Sequence, residues 1–350
     1  MSRFLNARHQ AMKAYVPGEQ PKQKNLIKLN TNESPFPPSP LALAAVTGEA
    51  LERLRLYSPI GVTELDRAIA DTYGLSPERV IAGNGSDEIL SYAFLAWGDR
   101  GARYPDITYG FYRVWAALYG VRSQVVPVAD DFSIDPDGYL DGDEMVVIAN
   151  PNAPTGLALG RADIERIVRL RPDRPVVVDE AYVDFGGESA ASLVGRYDNL
   201  LVVMTASKSR SLAGARLGWA LGAKEMIEDL NKVRYSLNPY NVNAITQLMG
   251  AAALRDRAYF EGCVRRITDA RAYTEASLRS LGFAVLPSKA NFVFAAPPDG
   301  NARGYQAQLR AKGILIRHFD QPRTEAYARI SIGRIEDMAR LVAVTKEVYA

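Results

Sequence analysis

The sequence has few of the residues from which disulfides and metal centres are built. Its 350 residues include one cysteine, Cys263, and two histidines, His9 and His318. A lone cysteine cannot form an intrachain disulfide, and a cysteine-built metal site needs several thiolates. The two histidines lie far apart in the sequence, which argues against a Ser-His-Asp triad or a histidine-rich metal centre. We therefore predict no metal ion at the functional site.

The sequence also lacks long hydrophobic runs and a strong charge of either sign. No window reaches the roughly 18 apolar residues that span a bilayer, and residues 1–18 mix Arg3, Arg8 and Lys13 with apolar side chains, unlike a signal peptide. The net charge is +2, so a polyanionic partner is not expected. Hydrophobic residues make up 47% and charged residues 23%, as in globular enzymes. We expect a cytoplasmic enzyme that binds neither nucleic acid nor membrane.

The middle of the chain alternates short apolar runs with helical stretches. Such runs, buried on both faces and separated by helices, predict an α/β fold with a mostly parallel central sheet flanked by helices. The expected strands are 79–82, 144–149, 175–179, 200–205 and 217–222, and the expected helices are 87–97, 109–119 and 161–171.

The two ends of the chain differ from this middle part. Residues 1–40 are rich in proline and asparagine and have no long periodic run, which predicts an ordered arm. Residues 243–281 are predicted to form one long helix. After it, strands at 283–286, 292–295, 314–317 and 328–332 and helices at 303–312 and 335–349 predict a smaller α+β domain. We expect three parts: the arm at 1–40, the large domain at 41–242, and the connecting helix with the small domain at 243–350.

A lysine follows one predicted buried strand, inside a run of small residues. Lys208 has Ser207 before it and Arg216 eight residues later. A lysine rarely leaves water without a partner, and a Schiff base with a cofactor aldehyde removes that difficulty. The Ser207 hydroxyl and the Arg216 guanidinium suit a phosphate group. A polar loop with solvated Lys and Arg explains this segment equally well.

Another predicted strand ends in an acidic residue. Asp179 follows three valines and would lie at the carboxyl edge of the sheet, where open α/β folds bind ligands. There it could keep a pyridinium nitrogen protonated, and Tyr182 could hydrogen-bond a ring hydroxylate. The pair Asp179-Glu180 also fits a Walker B metal site, but no Gly-x-x-x-x-Gly-Lys-Ser/Thr loop precedes it.

Two loops rich in turn residues complete the pattern. In the first, Gly83 and Gly85 let the backbone approach an anion, and the first amides of the next helix point at it. A plain helix N-cap at Ser86 or Asp87 explains this loop as well. The second loop, 150–156, is rich in Asn and Pro, and by itself indicates only a tight turn.

In this order and spacing, the four segments resemble the fold-type I, aspartate-aminotransferase-like enzymes that depend on pyridoxal 5′-phosphate (PLP). The likeness runs over nearly the whole chain. It implies that Lys208 holds PLP as a Schiff base and carries the substrate proton, that Asp179 pairs with the pyridine nitrogen, and that Tyr109 stacks on the ring. It assigns the ring oxygen to Asn152, although many relatives carry asparagine one position later, where this chain has Ala153. The other expected PLP contacts are Gly85, Ser86, Asp87, Tyr182, Ser207 and Arg216.

Within that family the sequence is most similar to the histidinol-phosphate aminotransferases. The matching segments are 14–18, 29–35, 55–57, 239–243, 313–317 and 328–333. The resemblance implies an amino donor and a 2-oxo acid as substrates and a homodimer in which Tyr57 reaches the partner subunit's cofactor phosphate. The chain departs from the common Tyr-Pro-Asp at this point, because Ser58 and Pro59 follow Tyr57. The expected substrate contacts are Tyr15, Asn32, Arg317 and Arg329.

Three other activities use the same scaffold. Aromatic amino acid aminotransferases and a threonine-phosphate decarboxylase share these cofactor residues and stay open as alternatives. A regulator with a PLP-enzyme fold would carry a DNA-binding segment, and no basic helix-turn-helix extension fits in this chain.

Overall fold

The computed structural model describes residues 2–20 and 25–349. The strands in these residues are β1 (Ile27–Lys28), β2 (Val80–Gly83), β3 (Ala102–Pro105), β4 (Ser123–Val126), β5 (Met145–Ala149), β6 (Val176–Asp179), β7 (Leu200–Thr205), β8 (Gly218–Gly222), β9 (Ala284–Val285), β10 (Phe292–Ala296), β11 (Ile314–Leu315), β12 (Arg317–His318) and β13 (Ala328–Ser331). The helices are α1 (Ala7–Gln10), α2 (Pro40–Ala44), α3 (Gly48–Glu52), α4 (Glu64–Tyr73), α5 (Ser86–Trp97), α6 (Phe111–Tyr119), α7 (Arg161–Leu170), α8 (Lys224–Leu237), α9 (Ala244–Arg255), α10 (Arg257–Ser280), α11 (Ala302–Ala311) and α12 (Ile335–Val348).

The large sheet has seven strands in the order β2-β8-β7-β6-β5-β3-β4. Neighbouring strands from β7 to β4 are parallel, whereas β8 runs antiparallel to both β7 and β2. Parallel neighbours need crossover connections, which helices such as α6 and α7 supply. The predicted α/β fold with a mostly parallel sheet is confirmed.

Both faces of this sheet are covered, which explains the continuous apolar runs of its central strands. Along β5, Val146 and Ile148 pack in one core with residues of α4, α7 and α9, while Val147 packs in the opposite core with α5, α6 and α8. Successive side chains of a strand point to opposite faces, so a strand between two helical layers must be apolar at every position.

A smaller sheet lies in the C-terminal part of the chain. Its four strands are antiparallel in the order β12-β13-β10-β9. The helices α10, α11 and α12 share its core, which includes Ile267, Leu309 and Leu341. Strand β1 pairs in parallel with β11, so residues 27–28, inside the predicted arm, join this part of the molecule.

The structure differs from the expected elements at two places after residue 242. The stretch 243–281 forms two helices, because Asp256 leaves the helical conformation (φ −81°, ψ 64°) and its side chain caps α10 by accepting from the Tyr259 amide. The first of them, α9, packs in the core of the large sheet. The run 314–317 divides into β11 and β12, which belong to different sheets.

Several elements of the structure were not predicted from the sequence. Strands β1, β3 and β4 and helices α4 and α8 were not among the expected ones. None of the helices within 2–20 and 25–349 combines the length and apolar character needed to cross a bilayer.

Candidate active site

The predicted site residues follow the carboxyl ends of neighbouring parallel strands. Tyr109 comes after β3, Asn152 after β5, Asp179 ends β6, and Lys208 comes after β7. Because parallel strands end at one edge of a sheet, these residues lie together at the edge where open α/β sheets bind ligands in a crevice.

Lys208 is half-buried in the loop that follows β7. Its Nζ donates to the Thr31 carbonyl oxygen at 3.4 Å and lies 5.9 Å from the centre of the Tyr182 ring. Thr31 belongs to the N-terminal segment, 177 residues away in sequence. The lysine amine therefore sits between the large sheet and the N-terminal segment, where it can act as a nucleophile toward an aldehyde or as a base.

Asp179 is buried, and both of its carboxylate oxygens accept from neutral donors. Oδ2 accepts from the Tyr112 hydroxyl at 2.8 Å, and Oδ1 accepts from the Ala181 amide at 3.2 Å. Burial raises the pKa of Asp179 to about 6, although the bond from Tyr112 and the nearby Lys208 charge act in the opposite direction. Asp179 can therefore pair with a cationic N–H group, and no such group bonds to it among the described residues.

The start of α5 forms an anion cradle with Arg216. Gly85 has φ +87°, and a Cβ at this position would lie 2.6 Å from Arg216 Nη2, so only glycine fits. Ser86 begins the helix and Gly85 is its N-cap, which has no side chain to accept from the amides of the first turn, so these amides are donors that an anion can use. The Ser207 hydroxyl lies 2.9 Å from the Thr205 hydroxyl, which also reaches the Leu217 carbonyl at 3.1 Å. These groups suit a phosphate.

Asp87 connects two of the predicted cofactor contacts to each other. Its Oδ1 accepts from the Tyr109 hydroxyl at 2.8 Å, and its Oδ2 accepts from Arg216 Nη2 at 3.2 Å. Burial, and then the Asp87 charge, raises the pKa of Tyr109, which therefore stays a neutral donor. Asp87 thus orients Tyr109 and Arg216.

Tyr15 lies at the open side of this crevice. Its ring stacks on Phe111 with centroids 4.2 Å apart and lies 6.4 Å from the Tyr109 ring. Burial raises the pKa of Tyr15, and the charges of Arg329 and Arg317 act against that shift. The three predicted substrate contacts Tyr15, Arg317 and Arg329 are therefore neighbours.

Within the described part of the chain, Arg317 and Arg329 make hydrogen bonds only to backbone carbonyls. Arg329 Nη2 donates to the Asn30 carbonyl at 3.1 Å, and its Nε is buried without a partner among the described residues. Burial lowers the pKa of Arg329, and the nearby Arg317 charge acts in the same direction. Arg317 donates to the carbonyls of Val16 and Pro17 at 3.3 and 3.4 Å. An anionic substrate can pair with both guanidinium groups.

Asn152 is placed differently from its predicted role at a cofactor ring oxygen. Its Nδ2 donates to the Ile107 carbonyl at 2.8 Å and to Thr155 Oγ1 at 3.3 Å, while Oδ1 accepts from Thr108 Oγ1 at 2.8 Å. The buried amide thereby joins the loops after β3 and β5. Its hydrogen-bonding groups are already used, so its geometry favours a structural role.

Tyr57 is the one predicted cofactor contact that lies apart from this crevice in the single chain. Its ring is 81% exposed and stacks on Tyr240 with centroids 4.4 Å apart. Among the described residues, Tyr57 makes no hydrogen bond or aromatic contact to Lys208, Asp179 or Arg216. Such exposure of an aromatic side chain is typical of a contact completed by a second subunit.

Several residues that the sequence analysis did not select complete the crevice. Tyr112 bonds to Asp179, Thr31 to Lys208, and Ser331 to Asn32. Tyr112 is three residues after Tyr109, a spacing that places both on one side of a helical turn and offered a signal. Thr31 and Ser331 gave none, because their partners are 177 and 299 residues away.

The chain is similar to known proteins over nearly its whole length. The family model described as "Aminotransferase class I and II" matches residues 24–344. Histidinol-phosphate aminotransferase 1 of Bordetella parapertussis is 47% identical over 355 residues, covering 100% of both chains. Histidinol-phosphate aminotransferase of Aromatoleum aromaticum is 48% identical and covers 99% of both.

A solved structure extends the likeness to the fold. Histidinol-phosphate aminotransferase from Sinorhizobium meliloti, in complex with pyridoxal-5′-phosphate, superposes with a TM-score of 0.88 at 26% identity, covering 100% of this chain and 98% of that one. The family expected from the four sequence segments is thus confirmed. The chain belongs to the class I and II aminotransferases and, within them, to the histidinol-phosphate aminotransferase family.

Proposed function

We propose that this enzyme binds PLP on Lys208 and interconverts histidinol phosphate and imidazole-acetol phosphate, with 2-oxoglutarate and glutamate as the second substrate pair. This is a step of histidine biosynthesis, and a cytoplasmic location suits it. The relatives that are 47–48% identical over the full length carry this activity in their names. The single observation in the structure that carries the proposal is the pair of arginines beside Tyr15, Arg317 and Arg329, which have no carboxylate partner within residues 2–20 and 25–349.

The residues of the crevice fit PLP. Gly85 has a positive φ that favours glycine, and a Cβ there would lie 2.6 Å from Arg216 Nη2. Asp179 is buried and bonds to no cation among the described residues, so a protonated pyridine nitrogen would supply this partner. Ser207 and the first amides of α5 supply further donors for the phosphate.

Each side chain then has a task that follows from its position. When bound, PLP supplies an aldehyde that accepts the amino group and an electron-poor ring. Lys208 Nζ holds the cofactor and, once released, takes the proton from the substrate carbon that bears the amino group. Asp179 would pair with the ring nitrogen and keep it protonated, and the Tyr182 hydroxyl would donate a hydrogen bond to the ring oxygen.

The arginines account for the choice of substrate. Histidinol phosphate has no carboxylate at its reactive carbon, so its phosphate must supply the anchoring charge. A guanidinium presents two parallel N–H donors to phosphate oxygens. Arg329 lies partly inside the protein, where an ion pair is screened less by water than on the surface.

We also infer that the working unit is a homodimer. The segment 41–62 exposes a row of large apolar side chains that are about half accessible or more in the single chain. A surface of this kind is typical of a subunit contact. Its exposed members are Leu41, Leu43, Leu51, Leu54, Leu56, Tyr57, Ile60 and Val62.

The proposed substrate is tested by a single half-reaction. Enzyme loaded with PLP is mixed with histidinol phosphate, phenylalanine, tyrosine or threonine phosphate, and conversion to the amine form of the cofactor is followed by absorbance. We expect histidinol phosphate to react much faster than the other three. Release of carbon dioxide from threonine phosphate, or an equal rate with phenylalanine, would contradict the substrate and leave the cofactor assignment intact.

The cofactor is tested with Lys208→Ala. The parent protein loaded with PLP should be yellow, and reduction with borohydride should leave the cofactor covalently attached to Lys208. A Lys208→Ala protein that transaminates at the parental rate would contradict the proposal. Lys289→Ala is a matched control, because the Lys289 side chain is exposed and makes no hydrogen bond to the predicted cofactor residues among the described residues.

A further inference from the structure

Three consecutive residues of the N-terminal segment contact three functional side chains. The Asn30 carbonyl accepts from Arg329 at 3.1 Å, and the Thr31 carbonyl accepts from Lys208 at 3.4 Å. Asn32 Nδ2 donates to the Tyr182 hydroxyl at 3.1 Å. The tripeptide 30–32 therefore sets the relative positions of groups from both sheets.

Asn32 is held firmly in an unusual conformation. Its φ is +57°, in the left-handed region that non-glycine residues seldom occupy and that asparagine tolerates best. Its amide N–H donates to Ser331 Oγ at 2.8 Å, and its carbonyl accepts from Asn291 Nδ2 at 3.0 Å. All three residues are buried. The conformation persists because these partners fix it.

The hydrogen bonds at Asn32 run in one direction. Ser331 Oγ accepts from the Asn32 N–H, so its own proton goes to Asn32 Oδ1, also at 2.8 Å. This bond turns the Nδ2 end of the Asn32 amide toward Tyr182, whose hydroxyl oxygen accepts from it. In the part of the chain that the structure describes, the Tyr182 proton has no acceptor, so it is available to a ligand.

We propose that Ser331 and Asn32 are positioning residues that aim the Tyr182 hydroxyl proton at the PLP ring oxygen. This inference rests on the proposed function. Two neighbouring residues support it, because neither offers a donor to the ring oxygen. The Asn152 side-chain amide already donates to the Ile107 carbonyl and to Thr155 Oγ1, and the Ala153 side chain has no donor. A chain of aligned hydrogen bonds strengthens the last donor, because each bond polarises the next.

The test is the pH midpoint of the absorbance change of the PLP-loaded enzyme. A proton on the Lys208 nitrogen bound to the cofactor is shared with the ring oxygen, so a donor already on that oxygen disfavours protonation and lowers the midpoint. Tyr182→Phe should raise the midpoint by about one pH unit, as expected for the loss of a hydrogen bond to a charged group. Ser331→Ala should raise it by a smaller amount.

Two further variants make the test specific to this chain of bonds. Asn32→Gly removes the amide and keeps a residue that accepts positive φ, so it should also raise the midpoint even if Ser331→Ala folds poorly. Thr274→Val is the matched control, because it removes a buried hydroxyl of the same C-terminal part that bonds only to the Ala270 carbonyl. It should leave the midpoint unchanged.

A double-mutant cycle decides whether Ser331 acts through Tyr182. In the Tyr182→Phe protein, Ser331→Ala should produce no further shift, since both changes remove the same donor. A full Ser331→Ala shift in that background, or parental midpoints for both Ser331→Ala and Asn32→Gly, would overturn the inference and leave the proposed function intact. A parent enzyme that gives no absorbance band with PLP would overturn both.

Discussion

Tyr112 donates its hydroxyl proton to Asp179 across 2.8 Å, in a part of the crevice where both side chains are buried. Tyr112 is fixed in turn by packing against Phe94 and Trp115. The carboxylate is thus held rigidly but receives only neutral donors. A buried carboxylate of this kind costs the protein stability when no cation pairs with it. It favours the binding of a ligand that brings a cation.

The first prediction concerns the stability of the protein without cofactor. The pKa of Asp179 is raised to about 6, mainly by burial, so the folded state binds its proton more tightly than the unfolded state does. Ionisation of Asp179 therefore lowers the free energy of unfolding. This loss is absent below the ordinary pKa of an aspartate and reaches about 3 kcal/mol above pH 6. Asp179→Asn should stabilise the apoprotein at pH 7.5 and have little effect at pH 4, as measured by urea unfolding.

The same change should have the opposite effect on catalysis. Asp179→Asn removes the charge that holds the ring nitrogen protonated, so transamination should fall by at least about tenfold. Asp173→Asn, at an exposed position, is the control and should change neither quantity. A variant that is less stable at pH 7.5, or that keeps the parental rate, would count against this role of Asp179.

The second prediction concerns phosphate recognition by Arg329. Arg329→Lys keeps the charge but loses the planar pair of donors, so the preference for histidinol phosphate over histidinol should fall by about tenfold. The measurement is the ratio of the two half-reaction rates. Arg303→Lys, at an exposed surface pair with Asp320, should keep the parental ratio. An unchanged ratio in Arg329→Lys would place the phosphate elsewhere.

The third prediction concerns the subunit to which Tyr57 contributes. Lys208→Ala and Tyr57→Ala chains are coexpressed with different tags, and the mixed dimer is isolated. If Tyr57 completes the partner's site, one of the two sites in this dimer is intact, and about half of the parental activity should return. If Tyr57 served its own subunit, the mixed dimer would have no intact site, and its activity would not exceed half of that of the Tyr57→Ala homodimer.

The fourth prediction separates the two roles considered for Asn152. Asn152→Ala leaves the Ile107 carbonyl and the Thr108 hydroxyl without their partner, so unfolding should become easier by about 2 kcal/mol. The absorbance midpoint with PLP should stay at the parental pH, whereas Tyr182→Phe should move it. A midpoint shift in Asn152→Ala without loss of stability would restore Asn152 to the ring oxygen.

Strands β3 and β4 were not predicted because their sequences lack the pattern of a buried strand. All four residues of β3 are buried, but Arg103 and Pro105 interrupt its apolar pattern. The arginine is tolerated there because Asp141 and Glu144 pair with it at 2.6 and 3.3 Å. Strand β4 lies at the edge of the sheet and is half exposed, so its sequence is under little pressure to be apolar. Neither the ion pairs of Arg103 nor the edge position of β4 can be read from the residues next to them in the sequence.

The sequence by itself determined the α/β class, the family and the strand ends at which Asp179 and Lys208 lie. These features are local, since burial on two faces produces apolar runs and a polar residue marks where a strand leaves the core. Tertiary structure alone decided the bond from Asn32 to the Tyr182 hydroxyl and the use of Asn152 between two loops. Both depend on hydrogen bonds between residues 44 to 299 positions apart. Geometry of this kind is fixed only when separate segments pack together.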